Sequence, residues 1–257
     1  MVNNIFKELA ELEQVEAIAL GGSRSGDNYD DKSDYDVYVY ITAPVSEESR
    51  KNILNRYCSY MEIGNHYWEY EDNCVLNNGT DIDIIYRSLD DFCESVLDVV
   101  EKYQAHNGYT TCMWHNLLNS KIIYDSNKRL EQMKIRFSVP YPEPLKNNII
   151  KRNYNLLCAA MPAYFNQIEK ACKRNDKVSI NHRVTAFLES YFDIIFALNS
   201  LTHPGEKRLI ELCRKKCTVL PNNFEANLNR LFDDIGDTEK LKYDIKEIIA
   251  ELKFDIM

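Results

Sequence analysis

Two short Asp-x-Asp pairs are the part of this chain whose residue types and spacing could do chemistry. Asp34 and Asp36 lie in SDYDVYVYI, and Asp81 and Asp83 in GTDIDIIYR. Each pair opens a β-branched and aromatic run that reads as a strand, where residues two apart project to the same face. Two such strands side by side would gather carboxylates into a cluster that is unstable at neutral pH without protons or cations. Hard divalent cations suit such oxygen donors: Mg²⁺ takes one or two carboxylates, several waters and substrate phosphates. Two such ions about 3.5–4 Å apart can stabilise the attacking and leaving oxygens of phosphoryl or nucleotidyl transfer. Just ahead of the first pair runs Gly21-Gly22-Ser23-Arg24-Ser25. Glycines there let backbone N–H groups approach a phosphate, while Ser23 and Arg24 add hydroxyl and guanidinium donors.

The elements that must position these groups follow from periodicity. A helix capped by Asn3 or Asn4 runs to about Gln14. Val15–Leu20 then reads as a strand stopping at the two glycines, and Tyr35–Ile41 as the next strand. Ser46 followed by Glu47, Glu48 and Ser49 marks a helix start, with helical spacing expected to about Tyr60. Tyr67–Leu76, the turn Asn77-Asn78-Gly79 and Thr80–Tyr86 read as a hairpin. Leu89–Ala105 has helical periodicity, Lys121–Tyr124 is a short strand, and a helix follows from about Asn127. Three prolines at 140, 142 and 144 make a stiff linker, beyond which strand signals nearly vanish. The helices expected there are 145–172, broken at Pro162, then 176–200, 206–217, 222–233 and 238–254. The expectation is an α+β half over residues 1–138 and an all-helical half over 139–257.

Bulk composition narrows the function classes. With 257 residues, 45% hydrophobic, the chain can bury one large or two small cores. A net charge of −9 argues against a broad grip on nucleic-acid phosphates and suits a cationic small substrate. Residues 1–14 are polar and amphipathic with no apolar signal core, and no apolar run reaches membrane-span length. The eight cysteines are therefore expected to be reduced thiols in a cytoplasmic protein. Cys213 and Cys217 share a helix face without further ligands for zinc, so they read as core or half-buried. His66, His106, His115 and His182 lack metal-ligand spacing and read as structural or surface. Tyr67, Trp68, Tyr70, Tyr109 and Trp114 read as core, although one of them could stack on a base.

Gly22-Ser23 followed by Asp34-x-Asp36, with Ile82-Asp83-Ile84 as a later strand, resembles the DNA polymerase β-like nucleotidyltransferase superfamily. An α+β half followed by a helical half resembles the bacterial antibiotic nucleotidyltransferases. YFDIIFALN at 191–199 with HPGEKRL at 203–209 is similar to proteins with a DUF4037-type C-terminal domain. The resemblance implies a mixed sheet with flanking helices, followed by a helical bundle. It implies that Asp34 and Asp36 bind Mg²⁺, that Asp83 is a third metal ligand or general base, and that Ser23 and Arg24 contact the β/γ-phosphates of ATP. Asp81 is the rival third carboxylate, and Ile82-Asp83-Ile84 matches the family's strand better. The turn bearing Asp27, Asp30 and Asp31 is expected to face solvent. Lys207 and Arg208 are expected either to reach the triphosphate across a cleft between the halves or to be a plain surface pair.

The resulting expectation is a Mg²⁺-dependent adenylyltransferase. It would move AMP from ATP to a hydroxyl of a small molecule, an aminoglycoside-like antibiotic by analogy, and release pyrophosphate. The rivals are a toxin-type transferase acting on tRNA or protein, which the negative charge disfavours, and a nucleotide-binding protein without chemistry. A monomer and a homodimer are equally compatible with this sequence.

Overall fold

The computed structural model describes residues 2–25 and 33–252, which fall into two compact units. The first comprises residues 1–97 and 116–139, the second 98–115 and 140–257. The acidic turn carrying Asp27, Asp30 and Asp31 lies outside the described residues.

All strands of the first unit join one six-stranded sheet of order β3-β4-β5-β2-β1-β6. They are β1 (Val15–Leu20), β2 (Tyr35–Ile41), β3 (Cys58–Asn65), β4 (Glu71–Leu76), β5 (Asp81–Arg87) and β6 (Lys121–Asp125). β2 and β5 run parallel, in a register that sets Asp36 opposite Asp83, and the other pairs are antiparallel. One face is the apolar core: Ile18, Leu20, Val37, Val39, Ile82 and Ile84 pack with Ile5, Phe6 and Leu9 of α1 (Val2–Ala10) and Ile53 and Leu54 of α2 (Glu47–Leu54). The alternation that buries Val37 and Val39 turns Asp36, Tyr38 and Tyr40 to the opposite face. There Tyr38 and Tyr40 pair across to Ala19 and Ala17, whose small side chains leave room for the rings.

Ser46 caps α2 as its sequence suggests, accepting from the Ser49 N–H. The helix stops at Leu54 rather than Tyr60, because residues 58–65 become β3 by pairing with β4. That long-range pairing outweighs a local helical preference. Asn77-Asn78-Gly79 closes the β4–β5 turn as expected, with Gly79 at φ 84°.

The chain passes between the units within α3 (Leu89–Val100) and α4 (Cys112–Asn119), and α5 (Arg129–Phe137) follows β6. The second unit is helical: α6 (Glu143–Tyr154), a π-helical turn (Asn155–Ala159), α7 (Tyr164–Lys173), α8 (Lys177–Leu198), α9 (Leu209–Lys216), α10 (Phe224–Asp233) and α11 (Thr238–Ala250). The expected break at Pro162 separates α6 from α7. α8 is its spine, buried continuously from Ser190 to Ala197 and packed on α6 and α7. All eight cysteines are free thiols, with Cys213 buried and Cys217 half-buried. No helix among the described residues is long and apolar enough to cross a membrane.

Candidate active site

Asp34, Asp36 and Asp83 come together on the face of the sheet opposite the α1–α2 core, where β2 and β5 begin. One carboxylate oxygen from each lies within 4.8 Å of the other two, and all three side chains are half-buried. The parallel β2–β5 register makes this possible, because it sets Asp36 and Asp83 side by side on one face. At such a spacing two ionised carboxylates repel by roughly 3 kcal/mol in an effective dielectric of about 20, a repulsion that a bound cation would relieve. The donor set is all oxygen, as Mg²⁺ requires. Asp81 is exposed and outside the cluster.

The glycine turn is bolted directly to this cluster. The Gly21 N–H donates to the Asp36 carbonyl at 2.8 Å, which carries the chain from β1 back across β2. Gly22 has φ 58°, and a Cβ placed on it would run into the Asp36 carboxylate. Glycine is therefore required there twice, by backbone conformation and by space. Ser23–Ser25 forms a single 3₁₀ turn after it, tied back by Ser25 Oγ donating to the Gly22 carbonyl at 2.8 Å. Arg24 braces the far side of the turn. Its Nε donates to the Ser33 carbonyl at 2.6 Å, and its guanidinium lies 4.0 Å above the Tyr35 ring. Lys207 belongs to the helical unit, exposed on the segment before α9.

Several residues around the cluster escape a search for Asp-x-Asp. Asn73 of β4 faces Asp83 and donates to its Oδ1 at 2.8 Å, while Asn65 of β3 donates to Asn73 Oδ1 at 2.6 Å. Two amides in series thus fix the Asp83 carboxylate from the side of the sheet. Glu71, two residues before Asn73, is buried, and its pKa is raised, chiefly by burial and further by the charges of Asp83 and Glu69. The two-residue alternation that exposes Asp81-x-Asp83 would also have exposed Glu71-x-Asn73. Between them Asp72 points to the core face, where Arg50 pairs with it, the Gly64 N–H donates to it at 2.8 Å and Tyr86 Oη donates at 3.0 Å. That fully buried ion pair locks β4, and hence Asn73, in register.

The helical unit contains a second polar centre of different character. Asp193 on α8 is 1% exposed. It accepts from the Thr110 N–H at 3.1 Å, Thr110 Oγ1 at 2.6 Å and Asn153 Nδ2 at 3.0 Å. Burial lifts its pKa to about 6 against the opposing pull of those bonds. His203 is fully buried, its backbone N–H bonded to Thr111 Oγ1 at 2.8 Å, and its ring packs 4.8 Å from Tyr109 and 4.9 Å from Phe196. Burial depresses its pKa to about 4, as it does for His115, so both rings are neutral at pH 7.

Residues 2–106 match the family described as Nucleotidyltransferase domain, and residues 110–209 match Domain of unknown function (DUF4037). No curated protein matches the chain. Among solved structures, a nucleotidyltransferase-like protein from Exiguobacterium sibiricum 255-15 is similar at 12% identity and a TM-score of 0.45, over 96% of this chain and 72% of that one. An aminoglycoside 6-adenyltransferase from Bacillus subtilis is similar at 10% identity and a TM-score of 0.29, over 98% of this chain and 91% of that one. The range matched by the nucleotidyltransferase domain includes Gly22, Asp34, Asp36 and Asp83, and the range matched by DUF4037 includes Asp193, His203 and Lys207.

Proposed function

We propose that this chain, which carries a nucleotidyltransferase domain followed by a DUF4037 domain, is a Mg²⁺-dependent adenylyltransferase acting on a hydroxyl of a small molecule in the cytoplasm. The observation that carries the reading is the Asp34, Asp36 and Asp83 cluster, with its oxygens within 4.8 Å, on the domain that matches nucleotidyltransferases. Asp34 and Asp36 would hold Mg²⁺, with Asp83 as the third carboxylate. Bound there, the metal would supply charge neutralisation for the triphosphate and acidify an acceptor hydroxyl. Asp83, steadied by Asn73, would orient the acceptor hydroxyl and take its proton. Gly22 would leave its backbone open to the β/γ-phosphates, Ser23 and Arg24 would contact them, and Lys207 would add a cation for the triphosphate. Pyrophosphate would leave as AMP is transferred. The net charge of −9 favours a small cationic acceptor, of which an antibiotic of the aminoglycoside kind is one form, over nucleic acid.

The test is turnover with each of four α-labelled nucleoside triphosphates, Mg²⁺ or a chelator, and a panel of hydroxyl-bearing amines. The expected result is pyrophosphate release with ATP that requires both Mg²⁺ and an acceptor and vanishes in Asp36→Asn. Release unaffected by Asp36→Asn, or no release with any triphosphate, would overturn the proposal.

A further inference from the structure

The helical unit holds a cavity of about 550 Å³ that the nucleotidyl-transfer reading does not use, within the size range of small-ligand sites. It lies among α8, α9 and α10, with Tyr109 and Glu206 contributed by connecting segments. Its walls are largely apolar and aromatic, including Tyr109, Phe192 and Phe232.

Its charges are unbalanced. Four glutamates and two arginines line it. One pair neutralises itself, since Arg214 binds Glu225 at 3.0 Å. Glu189, Glu206 and Glu211 have no cationic partner among the described residues, and Arg208 alone stands against them. Glu189 is half-buried, and burial raises its pKa. Tyr109, Glu189 and Glu206 line the same cavity, and Gly108, next to Tyr109 in the chain, packs against Glu189.

The surrounding structure is built to hold Tyr109 in place. Tyr109 sits at φ 52°, a left-handed conformation that a bulky side chain rarely adopts. On one side, Gly108 lies so close to Glu189 of α8 that an added Cβ would meet the Glu189 Cβ at 2.8 Å. On the other, the Asp193 carboxylate clamps Thr110 through both its N–H and its hydroxyl. The buried His203 ring backs Tyr109 edge-on. The polar centre of the DUF4037 domain thus serves to fix one wall of the cavity.

We propose that this cavity binds an organic ammonium compound with an apolar or aromatic body, its cationic head held by Glu189 and Glu206 against the Tyr109 ring. Aromatic faces and carboxylates are the two groups that attract an alkylammonium, and here the half-buried Glu189 and the exposed Glu206 line the same cavity as Tyr109. Phosphates and carboxylates are repelled by the surplus glutamates. A polyhydroxylated ligand would leave its hydroxyls unpaired against Phe192 and Phe232. The inference stands apart from the metal cluster, so either can fail without the other.

The test is calorimetric titration of the full chain with a matched series: 4-phenylbutylamine, 4-phenylbutan-1-ol and 4-phenylbutyrate. The amine should bind saturably, and the alcohol at least about tenfold more weakly, because it lacks the charge-assisted bond. Glu189→Gln and Glu206→Gln should each weaken the amine while leaving the alcohol unchanged. Asp36→Asn should leave amine binding intact whether or not it abolishes transfer. Glu206 is exposed, so its variant keeps the test open should Glu189→Gln fold poorly. Equal binding of amine and alcohol, preference for the carboxylate, or no saturable binding of the amine would each overturn the proposal.

Discussion

The sheet and the helical unit each withdraw aspartates from water, and they treat them in opposite ways. Asp193 is sealed in, and three hydrogen-bond donors from Thr110 and Asn153 satisfy its oxygens. Asp34, Asp36 and Asp83 are only half-buried, crowd one another, and Asp83 is steadied by a neutral amide. The first arrangement is complete without a ligand and stabilises a loop. On the proposed function, the second would be completed by a bound cation. The contrast is between a carboxylate sealed in by donors and carboxylates that are half-buried and crowd one another.

The sharpest way to break this contrast is to neutralise one residue on each side. Asp36→Asn should lower turnover about a thousandfold, comparable to loss of a transition-state-stabilising group, while leaving the melting temperature unchanged or raised, because repulsion is relieved. Asp193→Ala should do the reverse to stability. It strands buried donors at a cost of about 2–4 kcal/mol, which thermal unfolding would register as a drop of several degrees.

The same comparison predicts a pH effect. Asp193 has a folded pKa of about 6, above the unfolded carboxylate value of about 3.9. The native state then binds this proton more tightly than the unfolded state. Its contribution favours folding more as pH falls from about 6 towards about 4, and the ionised form is the costly one above that window. Melting curves from pH 4 to 8 should show this slope in wild type and lose it in Asp193→Asn.

Smaller perturbations sharpen the active-site side. Gly22→Ala sets a methyl against the Asp36 carboxylate in a left-handed backbone conformation, so Mg²⁺ affinity and turnover should fall about ten- to a hundredfold with about 1 kcal/mol lost in stability. Asn73→Ala leaves the carboxylates in place but removes the bond to Asp83, and a loss of about tenfold in turnover is expected. Steady-state kinetics of both variants, beside their melting curves, separates the two effects.

Legibility in the sequence followed the same division. Asp34, Asp36 and Gly22 announce themselves, since strand alternation and a glycine turn are local signals, and the β4–β5 turn is equally plain. Asp83 over Asp81 was a matter of resemblance until the β2–β5 register set Asp83 beside Asp36. β3 was hidden because only pairing with β4 turns residues 58–65 from helix to strand. Asp193 sits inside the apolar run 191–198, and its partner Thr110 lies 83 residues away in sequence. No local pattern encodes such a contact. The clamp on Tyr109, and with it the cavity wall, was invisible for that reason.

The central claim is that Asp34, Asp36 and Asp83 are completed by a metal and a nucleotide. Calorimetric titration of ATP, with and without Mg²⁺, into wild type and an Asp34→Asn, Asp36→Asn double variant tests it most directly. Saturable binding that requires Mg²⁺ and disappears in the double variant is the predicted result. Binding that ignores Mg²⁺, or that survives unchanged in the double variant, would contradict it.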